Sequence, residues 1–373
     1  MRVKEPARKN AILIPALNPP ESLESYIQEL IKENFQYIIL VDDGSDTKYK
    51  EFFQRIEAKN SGGGQTVVLL QHEENYGKGR ALKTGFSYFV RNNRDMDGII
   101  TVDSDGQHKV RDVINISDAL DNMTEASIFL GVRSFDYDFV PFKSKFGNKC
   151  TSILFGALNG RYLRDTQTGL RGFKKDILTA NFINLAGERF EYEINMLIYA
   201  VKEHYPIEEI EIETVYINDN QETHFHPLKD SWKVYKVLFS NFVKYIFSSF
   251  ASSIIDLVSF QVLLALFVHL AVDRRLLTAT VAARVISSAF NFAVNRKVVF
   301  QNRGKLTKQF IKYYLLCIIQ MFLSAFLVIQ VNRLWGISKL VEKIIVDTIL
   351  FFVSYHIQRV FIFVNGGDGN ADT

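Results

Sequence analysis

Thr101-Val102-Asp103-Ser104-Asp105-Gly106-Gln107-His108 closes a short apolar run over residues 98–102. A run of that length reads as a buried strand, and it stops where two carboxylates stand one small residue apart. Open α/β sheets place ligands beyond the C-terminal ends of their strands, so Asp103 and Asp105 would leave the strand together, into such a site. With the amide of Gln107 they make a hard-oxygen set suited to Mg²⁺ or Mn²⁺, with positions left for phosphate oxygens. Asp, Ser and Gly are also ordinary turn residues, so this stretch alone leaves a solvated turn open.

Upstream lie three more apolar runs: residues 11–17, halted by Asn18-Pro19-Pro20; residues 37–41, ending in Asp42-Asp43-Gly44-Ser45; and residues 66–70. Helical periodicity fills the gaps over 21–34, with Leu23, Tyr26, Ile27, Leu30 and Ile31 on one face, and over about 48–58. Strands alternating with helices predict a mostly parallel sheet covered on both faces. Asn75-Tyr76-Gly77-Lys78-Gly79-Arg80 follows, a glycine-rich entry to a helix whose backbone can approach phosphate, with Lys78 as a substrate contact. Its spacing matches neither the P-loop nor the dinucleotide fingerprint, and a plain helix-entry turn accounts for it equally well. Further on, Glu191 and Glu193 open a helix; the helix dipole favours carboxylates there, and a site role for Glu193 is the alternative. His224 sits in a polar segment, 218–226, after a predicted strand at 207–217, either as part of a loop closing over substrate or as a solvated side chain.

The hydrophobic fraction of 47% hides an uneven chain of 373 residues. Before about Asp230 it alternates apolar and charged stretches; after Lys244 Phe, Ile, Leu and Val dominate up to Val364. Four spans are expected at about 245–272, 276–300, 310–331 and 344–364, each near the roughly 20 residues that cross a bilayer. Arg296, Lys297, Arg303, Lys305, Lys308 and Lys312 cluster between the second and third. The positive-inside rule then puts both termini in the cytoplasm of a multi-pass cell-membrane protein. Asp256, Arg284 and Asp347 fall inside spans, as functional groups or as structural ion pairs. Residues 141–158 and 228–242 mix Lys with Phe, Leu, Tyr and Trp, as amphipathic helices at a membrane surface or as core-facing helices. A net charge of +3 is too small for a nucleic-acid binder, and two cysteines, Cys150 and Cys317, give no disulfide framework. The basic N-terminus precedes too short an apolar run for a signal peptide.

Several of these stretches together resemble glycosyltransferase family 2: Ile14-Pro15-Ala16-Leu17-Asn18, Val41-Asp42-Asp43-Gly44-Ser45, the Gly77-Lys78-Gly79 turn and Val102-Asp103-Ser104-Asp105-Gly106-Gln107-His108. Gly131-Val132-Arg133, Phe146-Gly147-Asn148-Lys149, Asp165-Thr166-Gln167-Thr168-Gly169-Leu170-Arg171-Gly172-Phe173 and Arg189-Phe190-Glu191-Tyr192-Glu193 extend the likeness over residues 11–232, most closely to polyprenyl-phosphate glycosyltransferases related to dolichyl-phosphate mannose synthase. Phe247-Ser248-Ser249-Phe250, Ser287-Ser288-Ala289-Phe290-Asn291-Phe292 with Asn295-Arg296-Lys297, and Gln358-Arg359-Val360-Phe361 resemble the four-span GtrA family.

The resemblance implies an α/β GT-A (Rossmann-like, mostly parallel sheet) catalytic domain over 1–227, an interfacial helix or linker over 228–244 and an all-α transmembrane domain of four helices over 245–373. It implies a nucleotide-sugar donor and Mg²⁺ or Mn²⁺. Pro15, Leu17, Val41 and Asp43 would line the nucleotide pocket, Asp43 reaching the base; the family often has Tyr and Glu where this chain has Leu17 and Pro19. Asp103, Asp105 and Gln107 would hold the metal, beside Ser104. If the acceptor is a polyprenyl phosphate it is already anionic and needs no strong base, which gives weight to the cations that hold phosphate: Arg133 and Arg171, with Lys145 behind them. The expected activity is inverting transfer of one sugar, with a lean to uridine, to a polyprenyl phosphate at the cytoplasmic membrane face; a homo-oligomer is compatible with it. The alternatives are a lipid-linked-sugar transporter with a vestigial catalytic domain, a GDP-mannose-dependent synthase of the same kind, and a processive synthase. The last is disfavoured because Gln167 and Arg171 do not make a Gln-x-x-Arg-Trp motif.

Overall fold

The computed structural model describes residues 7–60, 66–92, 95–134, 142–213, 227–302, 304–335 and 338–363. Contacts divide the chain into two units, Met1–Gly156 with Arg161–Val237, and Ala157–Gly160 with Leu238–Thr373. Up to Ile212 strands and helices alternate: β1 (Asn10–Ala16), α1 (Ser22–Lys32), β2 (Tyr37–Asp42), α2 (Lys50–Asn60), β3 (Thr66–Gln71), α3 (Lys78–Asn92), β4 (Gly98–Thr101), α4 (Val110–Asp121), β5 (Ile128–Arg133), α5 (Phe142–Asn159), β6 (Arg171–Lys174), the single turn α6 (Ala180–Ile183), α7 (Glu191–Lys202) and β7 (Ile207–Ile212).

The strands form one seven-stranded sheet in the order β3-β2-β1-β4-β6-β5-β7. β1 to β4 are mutually parallel, and β5 is parallel to β7. β6 is inserted antiparallel between β4 and β5, a departure from the expected parallel order. Ile12, Ile14, Ile38 and Leu40 pack with Leu23 and Ile27 of α1, Phe53 and Ile56 of α2, and Val113 and Ile116 of α4. Leu13 and Ile39, which alternate to the other face, are equally buried. Burial on both faces is why these strands read as unbroken apolar runs rather than alternating ones. This is the expected GT-A arrangement, a Rossmann-like, mostly parallel sheet with helices against it.

The second unit is helical: α8 (Pro227–Leu266), of which it takes the part from Leu238, then α9 (Val272–Val294), α10 (Leu306–Trp335) and α11 (Lys339–Ile357). The stretch 228–244 and the first expected span merge in α8, because nothing after Pro227 within it is Gly or Pro. Among the described residues three helices are long and apolar enough to cross a membrane, Asp230–Leu266, Val272–Val299 and Leu306–Leu334. α11, in the place of the fourth expected span, carries Glu342, Lys343 and Asp347. The charges expected inside spans are paired: Arg284 Nη2 lies 3.4 Å from Asp256 Oδ2, and Lys343 Nζ 2.8 Å from Asp347 Oδ2.

A buried polar network joins all four helices. Asn295 donates to Asn291 Oδ1 (2.8 Å) and to Gln358 Oε1 (3.0 Å), and Gln358 donates to Tyr245 Oη and Ser354 Oγ (both 3.1 Å). Asn291 in turn donates to Ser252 Oγ (2.9 Å) and accepts from Tyr313 (2.8 Å). Both Asn295 and Gln358 begin a π-helical turn, Asn295–Val299 and Gln358–Ile362. Side-chain hydrogen bonds between membrane helices contribute about 1 kcal/mol each. Asn295→Leu is therefore expected to lower unfolding stability in detergent by about that amount or more, while Ser253→Ala, an exposed hydroxyl bonded only within its own helix, leaves it unchanged; SDS or thermal unfolding of both variants checks this.

Candidate active site

The site follows from the sheet. In-register pairing sets Pro15 of β1 beside Val41 of β2, both buried, with Leu17 half-buried just beyond. Asp43 follows β2 and is 3% exposed. β4 ends at Thr101, so Asp103, Ser104 and Asp105 emerge at the same edge. Because β6 is antiparallel, its first residue, Arg171, pairs with Thr101, which returns the loop 165–170 to the end of β4. There Thr101 Oγ1 donates to the Gly169 carbonyl at 2.8 Å. β5 and β7 end side by side at Arg133 and Ile212.

Lys78, the first residue of α3, connects the parts. Its ammonium lies 2.7 Å from Asp103 Oδ1 and 3.2 Å from Glu193 Oε2. Glu193 Oε1 is 3.8 Å from Arg171 Nη2, and His108 Nε2 is 3.6 Å from Asp103 Oδ2. The charges alternate along Asp103, Lys78, Glu193 and Arg171. Burial works against the charge on Asp103, but Lys78 and His108 outweigh it and hold the carboxyl well below its usual range. Burial likewise opposes the charge on Lys78, and Asp103 and Glu193 more than offset it, raising its pKa. Asp105 moves the other way: burial, then the charge of Asp103, push it up, although the Gln107 N–H donates to Asp105 Oδ1 at 3.0 Å.

Arg133 grips Asp165 through two bonds, Nε to Oδ2 at 2.7 Å and Nη2 to Oδ1 at 3.1 Å. Asp165 is fully buried; burial raises its pKa, and Arg133 outweighs that to bring it below the usual value. Arg133 also lines a cleft of about 40 Å³ with Asp103, Gln107, His108, Gln167, Gly169, Ile212 and Glu213.

Arg171, expected at phosphate, is placed differently. It is 1% exposed and absent from the cleft wall, with its guanidinium donating to the carbonyls of Thr168 (2.8 Å), Glu193 (2.8 Å) and Thr166 (3.2 Å). That geometry ties the 165–170 loop to α7. Lys145 is exposed on α5 and is not among the residues lining the cleft, and His224 lies outside the described residues. Asp165, Gly169, His108 and His72 were not singled out from sequence. His108 lies in the Val102–His108 motif and Asp165 and Gly169 in the Asp165–Phe173 motif, and only the long-range pairing of β6 brings the latter to the site.

Among the described residues no group of three or more His, Cys, Asp or Glu side chains is arranged to hold a metal ion. Two carboxylates and an amide nevertheless suit a hard cation that keeps positions for phosphate oxygens. Burial, and then the charge of Asp103, raise Asp105; a cation held by the pair would offset both, so the donor set of Asp103, Asp105 and Gln107 fits.

Comparison with known proteins agrees with the geometry. Residues 11–181 match the model of glycosyl transferase family 2. Over 216 residues the chain is 31% identical to the UDP-N-acetylglucosamine–dolichyl-phosphate N-acetylglucosaminyltransferase of Methanococcus voltae, covering 55% of this chain and 85% of that protein. The chain belongs to glycosyl transferase family 2. This glycosyltransferase is also 28% identical over 220 residues to the dolichyl-phosphate beta-glucosyltransferase of Dictyostelium discoideum, covering 54% of this chain and 65% of that one. It is 26% identical over 185 residues to the undecaprenyl-phosphate 4-deoxy-4-formamido-L-arabinose transferase of Proteus mirabilis, covering 48% and 53%. Residues 244–363 match the GtrA/DPMS transmembrane domain, which makes the enzyme a membrane protein.

Two outcomes follow for this glycosyltransferase. A Cβ on Gly169 would stand 2.0 Å from Asp103 Oδ2, so Gly169→Ala must displace that carboxylate; turnover is expected to fall by about 10²-fold, with the melting temperature as the check on folding. Because the folded pKa of Asp165 is depressed, its contribution to stability is present above its unfolded pKa of about 4 and is lost as pH falls through the lower folded value. Asp165→Asn is expected to destabilise the protein by about 3 kcal/mol near neutral pH and to flatten this acid dependence, measured by denaturant unfolding at several pH values.

Proposed function

We propose that the enzyme transfers one sugar, with inversion, from a nucleotide diphosphate sugar, UDP-linked by preference, to a polyprenyl phosphate at the cytoplasmic membrane face. The observation that carries this reading is the cleft where Asp103 of the Asp103–Asp105 pair meets Arg133. The names of the relatives and the apolar helices of the second unit support a lipid-borne acceptor. The basic cluster between α9 and α10 supports cytoplasmic termini.

Bond cleavage places charge on the departing nucleotide diphosphate, and preorganised positive charge stabilises it. Asp103, Asp105 and Gln107 would hold Mg²⁺ or Mn²⁺, which supplies Lewis-acid stabilisation of that group. Lys78 neutralises Asp103 and adds a positive charge beside the carboxylate pair. Glu193 fixes Lys78 from the other side, and Arg171 fixes Glu193 and the 165–170 loop, so both act as positioning residues. Arg133, oriented by Asp165, would face the acceptor phosphate in the cleft, with Lys145 as an outer contact and His224, on sequence grounds, as a contact to donor or phosphate. Since a phosphate monoester is anionic at neutral pH, no side chain has to remove a proton from it. Pro15, Leu17, Val41 and Asp43 form the nucleotide end, at the tips of β1 and β2.

Purified protein incubated with labelled nucleotide sugars, a polyprenyl phosphate and Mn²⁺ tests the reading. A single labelled sugar on the lipid, of inverted anomeric configuration by NMR, is expected, and Asp105→Asn is expected to reduce transfer by about 10²-fold or more with an unchanged fold. Absence of lipid product, or full metal-dependent transfer by Asp105→Asn, contradicts it.

A further inference from the structure

His72, one residue past β3, is used by none of the steps above, yet it is bonded on both ring nitrogens. Nδ1 lies 2.7 Å from Asp43 Oδ1 and Nε2 lies 2.9 Å from Thr84 Oγ1 of α3. The His72 side chain is 11% exposed and that of Asp43 4%. A carboxylate only accepts, so Nδ1 carries the proton, and in the neutral ring Nε2 accepts from the Thr84 hydroxyl. Asp43 also accepts the N–H of Tyr76 at Oδ1 (3.2 Å) and of Gly77 at Oδ2 (2.7 Å). Tyr76 packs edge-on against the imidazole, with centroids 5.5 Å apart.

These bonds fill both lone pairs of Oδ1 and one of Oδ2, leaving a single acceptor direction on Asp43. We propose that the Thr84–His72 relay is the specificity device for the donor base: it locks Asp43 as a one-directional acceptor, matched to a base with an N–H at its pairing edge. Uracil N3–H and guanine N1–H meet that requirement. Cytosine N3 and adenine N1 present a lone pair to it instead. The inference rests on the reading of Asp43 as the base contact. His72 is a positioning residue here, acting through Asp43.

Calorimetric binding of UDP, GDP, CDP and ADP in the presence of Mn²⁺ tests it without depending on turnover. The wild type is expected to prefer UDP or GDP over CDP and ADP. His72→Leu is expected to shrink that preference about ten-fold, the loss of one charge-assisted hydrogen bond. His72→Asn, whose amide can replace the Nδ1 donor, restores most of it. Thr84→Val, which leaves the imidazole in place but removes its anchor, shifts the preference in the same direction by less and serves if His72→Leu does not fold. A purely structural role would weaken all four nucleotides alike and leave their ratio unchanged, which overturns the proposal. Loss of the ratio in Asp43→Asn but not in the His72 and Thr84 variants overturns this inference alone. Retention of the ratio in Asp43→Asn, or a wild type that binds none of the four, overturns it together with the nucleotide reading on which it rests.

Discussion

The ammonium of Lys78, held between the carboxylates of Asp103 and Glu193, is the interaction on which the rest of the site depends. A buried carboxylate without a partner is costly, and breaking such a pair from one side typically costs about 3–5 kcal/mol. Lys78 can reach both groups because it starts a helix directly after a turn that only glycine can make. Gly77 has φ +106°, and a Cβ on Gly79 would stand 2.7 Å from the Arg189 carbonyl. The same turn is pinned from β2 by Asp43, which receives the Tyr76 and Gly77 N–H groups. One short segment thus links Asp43, just past β2, to the carboxylate pair.

The second constraint is topological. An all-parallel sheet would leave the 165–170 loop at the wrong edge; the antiparallel β6 brings it back to the end of β4, where Gly169 admits Asp103 and Asp165 orients Arg133. The cleft is therefore assembled from strand ends distant in sequence, and its charges are held by ion pairs rather than by loop contacts alone.

The parts legible in the sequence were those set by local physics. β1, β2 and β4 were readable as apolar runs because both their faces are covered, β3, a half-buried edge strand, through its run Val67 to Leu70, and Asp103 and Asp105 because they end one of those runs. β6 was not legible: Arg-Gly-Phe-Lys is four residues with a charge at each end, and its partners lie about seventy and forty residues upstream. Arg171 shows the same limit. Its residue type invites phosphate, but a neighbourhood of three backbone carbonyls, invisible in the sequence, buries it as a strut. His72 gave no pattern at all, since Asp43 and Thr84 flank it in space only. In the membrane unit hydropathy located the helices, whereas the Asn295–Gln358 bond across 63 residues and the continuity of α8 had to come from the structure.

Lys78 supplies the positive charge beside Asp103, and we propose that a cation bound by Asp103 and Asp105 competes with it. EPR titration of Mn²⁺ into nucleotide-free wild type and Lys78→Met tests it most directly. The account predicts that Lys78→Met binds Mn²⁺ about ten-fold tighter or more, because the carboxylates are left uncompensated. Equal or weaker Mn²⁺ binding by a folded Lys78→Met protein would contradict it.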